Sequence, residues 1–352
     1  MANILILSCR GGGGHVSAAR AAEQYLHNHT TTTVDFIGQT LAPTDPLYFL
    51  SGGRLTGQDL YNVLLKKNYK RFANILYQIG WILLRFKKKA IAQALEKLIE
   101  EHKPDLMLSV IPIINGPLSD VAQKKNIPAL IVPTDLDLRS FTAGVQQAHH
   151  TKTWLGIGFD TPEIRALIQP NSFRPNHIIT VGFPIRPEFC KIKDQLTART
   201  QLNIPQKIPV IMLIMGAAGS ASIQTYFSQL LKISFPCHLL ICLGRSDHLA
   251  QKLTRNKIPP HITYQLFDSS CAIADLMAAA DVCISKPGSV TFAETIYSKT
   301  PVFLDATGSA LIWEKFNLAF VTAHKCGRVI KQTKDIVPLL QDFFTKKDIQ
   351  QT

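Results

Sequence analysis

The sequence predicts an α/β protein of two Rossmann-like, doubly wound domains facing a cleft, and three observations carry that reading. The chain has 352 residues, more than one ordinary core of ~100–200 residues accommodates. Short β-rich apolar runs alternate with helical segments through both halves, the rhythm of parallel sheets with binding sites at the carboxyl ends of their strands. Proline clusters at residues 183–187 and 205–209 fall where a domain joint belongs.

In the first half, runs at residues 4–9, 33–38, 106–110, 129–134, 153–157 and 178–182 read as strands. The second half repeats them at 210–215, 239–243, 262–267, 282–285, 302–304 and 319–322. Helices are expected there at 220–233, 272–280 and 291–298, and a terminal helix within 331–344 closes the second domain or packs back on the first. The domains are read as 1–188 and 189–352. Between residues 54 and 103 the rhythm stops, and Leu60, Leu64, Tyr69, Phe72, Leu76, Ile79, Leu83 and Phe86 recur at helical spacing. This stretch is a helical insertion in the N-terminal domain.

Composition narrows the function classes. With 46% hydrophobic and 18% charged residues, the chain is no disordered scaffold. Its apolar runs are too short to cross a bilayer, and Met1 leads almost directly into a strand-like run with no leader signature, so a cytoplasmic location is expected. The seven cysteines form no C-x-x-C pair and read as reduced residues, without a zinc site or any other metal. The net charge of +13 favours an anionic partner: nucleic acid, anionic lipid or a phosphorylated ligand. About half of it sits in the insertion, where eleven basic residues face four acids. A solvated basic face is one reading of that stretch. Tyr77, Trp81 and Phe86 beside Lys87, Lys88 and Lys89 favour the other, an interfacial patch for an anionic membrane surface.

Two turns carry chemistry. Gly11, Gly12, Gly13 and Gly14 follow the first strand and lead through His15 into a helix, so a ligand can approach backbone N–H groups. The spacing fits neither the dinucleotide fingerprint nor a P-loop. His15 reads as a capping or buried histidine, or as a base for a substrate hydroxyl. In the second half, Ser285-Lys286-Pro287-Gly288-Ser289 joins a strand to a helix that carries Glu294 one turn in. Free N–H groups beside a lysine suit a diphosphate, and Glu294 suits a ribose diol; a capped loop with a surface glutamate is the plainer reading.

At these residues the chain resembles the monogalactosyldiacylglycerol synthase and processive diacylglycerol glucosyltransferase group of UDP-sugar glycosyltransferases (glycosyltransferase family 28-like), and more distantly the N-acetylglucosaminyltransferase that forms lipid II. The resemblance runs through the Gly12–His15 loop, the basic stretch, Lys103-Pro104-Asp105, Thr134-Asp135, residues 181–187, the 215–220 loop, Leu243-Gly244-Arg245, Phe267-Asp268 and Lys286-Pro287-Gly288. It implies a GT-B fold and inverting, metal-independent hexose transfer from a UDP-sugar, a substrate and not a cofactor, to diacylglycerol or a related lipid by a peripheral membrane enzyme. On matching positions it implies Gly216 and Arg245 on the donor side, Phe267 by the base, Lys286, Gly288 and Ser289 at the diphosphate, Glu294 at the ribose, and Glu314 with Asn317 at the sugar hydroxyls. His15 with the glycine loop then serves the acceptor. The chain departs from the group at Arg10, where many relatives carry an acid, so the partner that orients the histidine is either missing or supplied elsewhere, Asp135 being the candidate. It departs again at Leu311-Ile312-Trp313-Glu314, which keeps only the glutamate of the usual sugar segment. A UDP-sugar epimerase, or a transferase to a soluble acceptor, needs no basic aromatic insertion, and a nucleic-acid-binding protein leaves both turns unexplained.

Overall fold

A computed structural model describes the chain except residues 12, 68, 148–149, 217–220, 245–246, 269 and 347–352. It forms two compact units, Met1–Pro187 and Glu188–Thr352. In the first, the elements run β1 (Asn3–Ser8), α1 (Gly14–Tyr25), β2 (Thr30–Asp35), α2 (Pro46–Leu50), α3 (Gly57–Lys66), α4 (Lys70–Phe86), α5 (Lys88–His102), β3 (Leu106–Ser109), α6 (Asn115–Lys125), β4 (Ala129–Ile131), α7 (Arg139–Thr142), β5 (Thr153–Ile157), α8 (Pro162–Arg165) and β6 (Ile178–Thr180). Among the described residues the strands make one parallel six-stranded sheet, ordered β2-β1-β3-β4-β5-β6. Helices cover both faces of such a sheet, so its central strands are continuous apolar runs rather than alternating ones. In β1, Ile4, Leu5, Ile6 and Leu7 are all buried. The threonine-rich β2 pairs only with β1 and stays largely half-exposed, as an edge strand does.

The second unit runs α9 (Gln195–Gln201), β7 (Val210–Ile214), α10 (Ala221–Leu230), β8 (Cys237–Gly244), α11 (Asp247–Leu253), β9 (Ile262–Asp268), α12 (Ile273–Ala279), β10 (Val282–Ser285), α13 (Ser289–Tyr297), β11 (Val302–Asp305), α14 (Glu314–Ala323), β12 (Gly327–Ile330) and α15 (Ile336–Lys346). Its parallel sheet has the order β12-β11-β10-β7-β8-β9. Helix α15 packs into this unit's own core: Ile336, Leu340 and Phe343 recur at helical spacing, and Phe343 meets Phe303 edge-on at 5.6 Å.

Two elements differ from the sequence reading. Residues 319–322, a β-prone run, lie within α14, and the sixth strand is β12. Glu314, Asn317 and Val321 are buried along one helical face, while Phe320 meets Phe292 at 6.0 Å and stacks on His324. Packing at helical spacing overrides the β preference of a short run. The strand expected at 33–38 begins at Thr30 and stops at Asp35, whose carboxylate accepts the Gly38 N–H at 2.9 Å and turns the chain away.

In the first turn of α6, a Cβ on Gly116 would lie 2.7 Å from the Gly144 carbonyl oxygen. Backbone cannot yield as a flexible side chain does. Gly116→Ala is therefore expected to destabilise the first unit by about 1–3 kcal/mol, read as a lower denaturant midpoint; an unchanged midpoint refutes the close approach.

Candidate functional site

In each sheet the strand order reverses beside the unit's first strand, between β1 and β3 and between β7 and β10. Loops leaving two such strands diverge to opposite faces and open a crevice at the carboxyl ends. Both turns singled out in the sequence sit at these reversals.

At the first, His15 lies in the opening turn of α1. Its Nδ1 is 2.9 Å from the Val110 carbonyl, just past β3, and 2.9 Å from the Thr134 hydroxyl, past β4. A carbonyl only accepts, so Nδ1 carries the proton and the neutral ring presents its lone pair at Nε2. The Ser8 hydroxyl donates to the His15 carbonyl at 3.2 Å. Burial works against the imidazolium, but the Cys9 side chain, which hydrogen-bonds the ring, the Asp135 carboxylate and the Val110 carbonyl favour it, and the balance pushes the His15 pKa up to about 9. Asp135 thus acts on His15 by charge, while Val110 and Thr134 hold Nδ1. Gly13 caps α1 without a side-chain hydrogen bond, and Gly14 is the helix's first residue; Gly12 lies outside the described residues.

Helices α3 and α4 pack on each other and send side chains to this loop. Asn62 of α3 donates to the Arg10 carbonyl at 2.9 Å, and the Arg10 guanidinium reaches Asp35 at 3.4 Å, the acid it pairs with instead of being one. From α4, Tyr77 points inward. It hydrogen-bonds Ser140, and burial, followed by Asp135, Asp137 and Cys9, pushes its phenol up to about 12. Tyr77 is therefore not part of an exposed membrane face, contrary to the sequence reading. The exposed face of α4 is apolar: Phe72, Ile75, Ile79, Ile82, Leu83 and Phe86, the last 84% exposed. Trp81 is half-buried beside the Arg85 guanidinium, 5.5 Å from its ring centre. Lys87 is also corrected, because its ammonium donates to the Thr44 carbonyl; Lys88 and Lys89 are exposed. Ile113, in the loop past β3, has φ +77°. For a β-branched residue that is strained backbone, and its N–H bonds the Ser140 carbonyl at 3.0 Å.

At the second reversal, Gly216 follows β7 with φ +89°, and a Cβ there would meet the Lys286 Cε at 2.9 Å. Lys286 thus lies across Gly216, next to Gly288, which caps α13 without a side-chain hydrogen bond. Asn317 of α14 donates to the Pro287 carbonyl at 2.9 Å and to the Ser289 hydroxyl at 3.0 Å. Among the described residues, two buried polar atoms here, Ser285 Oγ and Asn317 Oδ1, have no hydrogen-bond partner, a condition rare enough to mark a site. Glu294 is buried in α13 near Cys283, whose thiol is pushed up by burial and then by this carboxylate. Phe267 is half-buried at the end of β9. Glu314, 2% exposed, accepts the Leu311 N–H at 3.1 Å. Glu314 and Asn317 are thus buried braces of their loops, rather than side chains presented to a sugar. Arg245 and the 217–220 stretch lie outside the described residues. Among the described residues no three of His, Cys, Asp or Glu converge as metal ligands do.

No protein-family model matches the chain. It is 25% identical to monogalactosyldiacylglycerol synthase 1 of Arabidopsis thaliana, across 97% of this chain and 64% of the plant protein, so it spans just under two thirds of that relative. With a processive diacylglycerol beta-glucosyltransferase of Bacillus subtilis it shares 24% identity over 98% of this chain and 87% of the other. The crystal structure of MurG from Acinetobacter baumannii matches with a TM-score of 0.60 at 14% identity, covering 99% of this chain and 91% of that one. The fold is GT-B. Two parallel six-stranded sheets with flanking helices are the GT-B architecture, and the similarity is to the group that the sequence motifs indicate.

The His15 surroundings make a titration forecast. Its ¹³C-labelled imidazole should titrate near 9, and Cys9→Ala should lower that midpoint; an unmoved midpoint would remove Cys9 from the site. Because the folded pKa lies above the unfolded one, protonated His15 contributes stability that is fully present below about 6.5. That contribution is lost as pH rises through about 9.

Proposed function

We propose that this chain is a UDP-sugar-dependent glycosyltransferase that passes a hexose, with inversion, to diacylglycerol or a related membrane lipid. The observation that carries the reading is the His15 ring, fixed through Nδ1 at a strand reversal so that Nε2 is the atom that accepts a proton once the ring is neutral. In this reading Nε2 takes the proton of the acceptor hydroxyl as that oxygen attacks the anomeric carbon. The leaving UDP is stabilised by the uncapped N-terminus of α13 and by Lys286. Gly216, Gly288 and Ser289 form the floor under the diphosphate, Arg245 assists on the donor side, Phe267 lies by the base and Glu294 by the ribose. Asn317 holds that turn in shape, and Glu314 braces the loop at Leu311. The names of the Arabidopsis and Bacillus relatives, a galactolipid synthase and a diacylglycerol glucosyltransferase, support the acceptor class.

No helix among the described residues is long and apolar enough to cross a membrane. The proposed attachment is peripheral: the apolar stripe of α4 enters the interface, while Arg71, Arg85, Lys88 and Lys89, all exposed, meet anionic headgroups. Nucleic acid offers that stripe nothing to bury against.

The deciding experiment is a donor panel of UDP-glucose, UDP-galactose and UDP-N-acetylglucosamine with lipid extract, read by mass spectrometry. A glycosylated lipid is expected; a donor converted without any lipid product would favour an epimerase. His15→Ala should lower transfer by ~10²–10⁴-fold with UDP binding nearly intact. The wild-type rate should climb with pH toward about 9, since only the neutral ring accepts the proton. A flat profile would take the proton-transfer role from His15.

For the surface, Lys88→Ala with Lys89→Ala should weaken binding to anionic vesicles by about 1 kcal/mol per charge at low salt, less at high salt. Equal losses on neutral vesicles would show that charge is not the cause.

A further inference from the structure

We propose that Tyr77 is an acceptor-binding residue, whose phenol hydrogen-bonds the glycerol end of the lipid beside His15, so that α4 serves the acceptor with both of its faces. The inference rests on the acceptor-side reading of His15 given above. The helix has two sides. Phe72, Ile75, Ile79, Ile82 and Phe86 recur at helical spacing on its exposed side, an apolar track suited to acyl chains. Ala73 is fully buried, and Tyr77, one turn further along the same side, reaches the neighbourhood of Cys9 and Asp135. Those two residues also act on His15. One lipid molecule therefore meets one helix twice, with its chains outside and its polar end inside.

The surroundings set what the phenol can do. Ser140, Asp135, Asp137 and Cys9 are the groups that bear on it, and the two carboxylates only accept hydrogen bonds. Held neutral well above physiological pH, the phenol stays a donor as well as an acceptor. Ser140 is in turn tied through its carbonyl to the strained Ile113 loop, which follows the Val110 carbonyl that orients His15. The phenol and the imidazole are thus referenced to the same stretch of backbone. A glycerol lipid offers neighbouring oxygens, one to lose its proton to His15 and one to accept from Tyr77.

The test is Tyr77→Phe in the full chain, which keeps the ring and removes only the hydroxyl. Sedimentation with anionic phospholipid vesicles, with and without diacylglycerol, separates surface binding from acceptor binding. The wild type should bind more tightly when diacylglycerol is present. Tyr77→Phe should keep the binding to vesicles without diacylglycerol and lose most of the added increment, with a fivefold to tenfold higher KM for diacylglycerol and an unchanged KM for the UDP-sugar. An increment equal to wild type overturns the proposal, as does an equal loss in Ser140→Ala, which would reduce Tyr77 to a support for its loop. A wild type that gains nothing from diacylglycerol overturns the acceptor reading itself, and that outcome is distinct from the other two.

Discussion

Parallel sheets whose strand order reverses cannot close over the point of reversal, because the loops from the two flanking strands must leave on opposite faces. In this chain that constraint operates twice, next to β1 and next to β7. Everything chemically distinctive is built around those two openings. The hydrogen bond from His15 to the Val110 carbonyl exists because β1 and β3 are neighbours in the sheet although far apart in sequence. The contact of Lys286 with Gly216 likewise follows from the pairing of β10 with β7.

Helix α4 sets a second constraint of a different kind. Each large aliphatic or aromatic side chain left in water forfeits about 1.5–3 kcal/mol of burial, and α4 leaves a continuous stripe of them exposed. Stripes of that extent are uncommon on soluble surfaces and mark interaction sites. Its cationic flanks select the sign of the surface it meets. On its inward side, Tyr77 has Cys9 and Asp135 as neighbours in common with His15.

Much of this was legible in the sequence. The alternating runs indicated the two sheets, the glycine and lysine turns indicated the two openings, and the motifs together indicated the group to which the chain is similar. What escaped has identifiable causes. The Val110 carbonyl that orients His15 is backbone, and backbone carries no residue signature. Cys9 reads only as one of seven reduced cysteines, since its proximity to His15 depends on how the loop folds back. Tyr77 reads outward as an aromatic near Lys87, Lys88 and Lys89, and nothing in the pattern corrects this, because α4 is apolar on both sides, with Ala73, Leu76 and Leu84 on one and Phe72, Ile75 and Ile79 on the other. Periodicity then proves a helix without telling which side faces in. The run at 319–322 failed for a related reason, being too short for its β-branched residues to outweigh the packing of Phe320.

The positive φ of Ile113 has a consequence for local stability. Strain of about 1–3 kcal/mol at a single residue is retained only while neighbouring bonds hold it, and here the bond is the Ile113 N–H to the Ser140 carbonyl. Relaxation of this loop recovers that energy, whereas opening β3 or β4 forfeits paired backbone and buried apolar contact. The segment therefore unlatches more readily than the strands beside it, and its amide protons exchange with solvent before theirs. The carbonyl that orients the imidazole thus sits next to a segment that costs less to open than the strands flanking it.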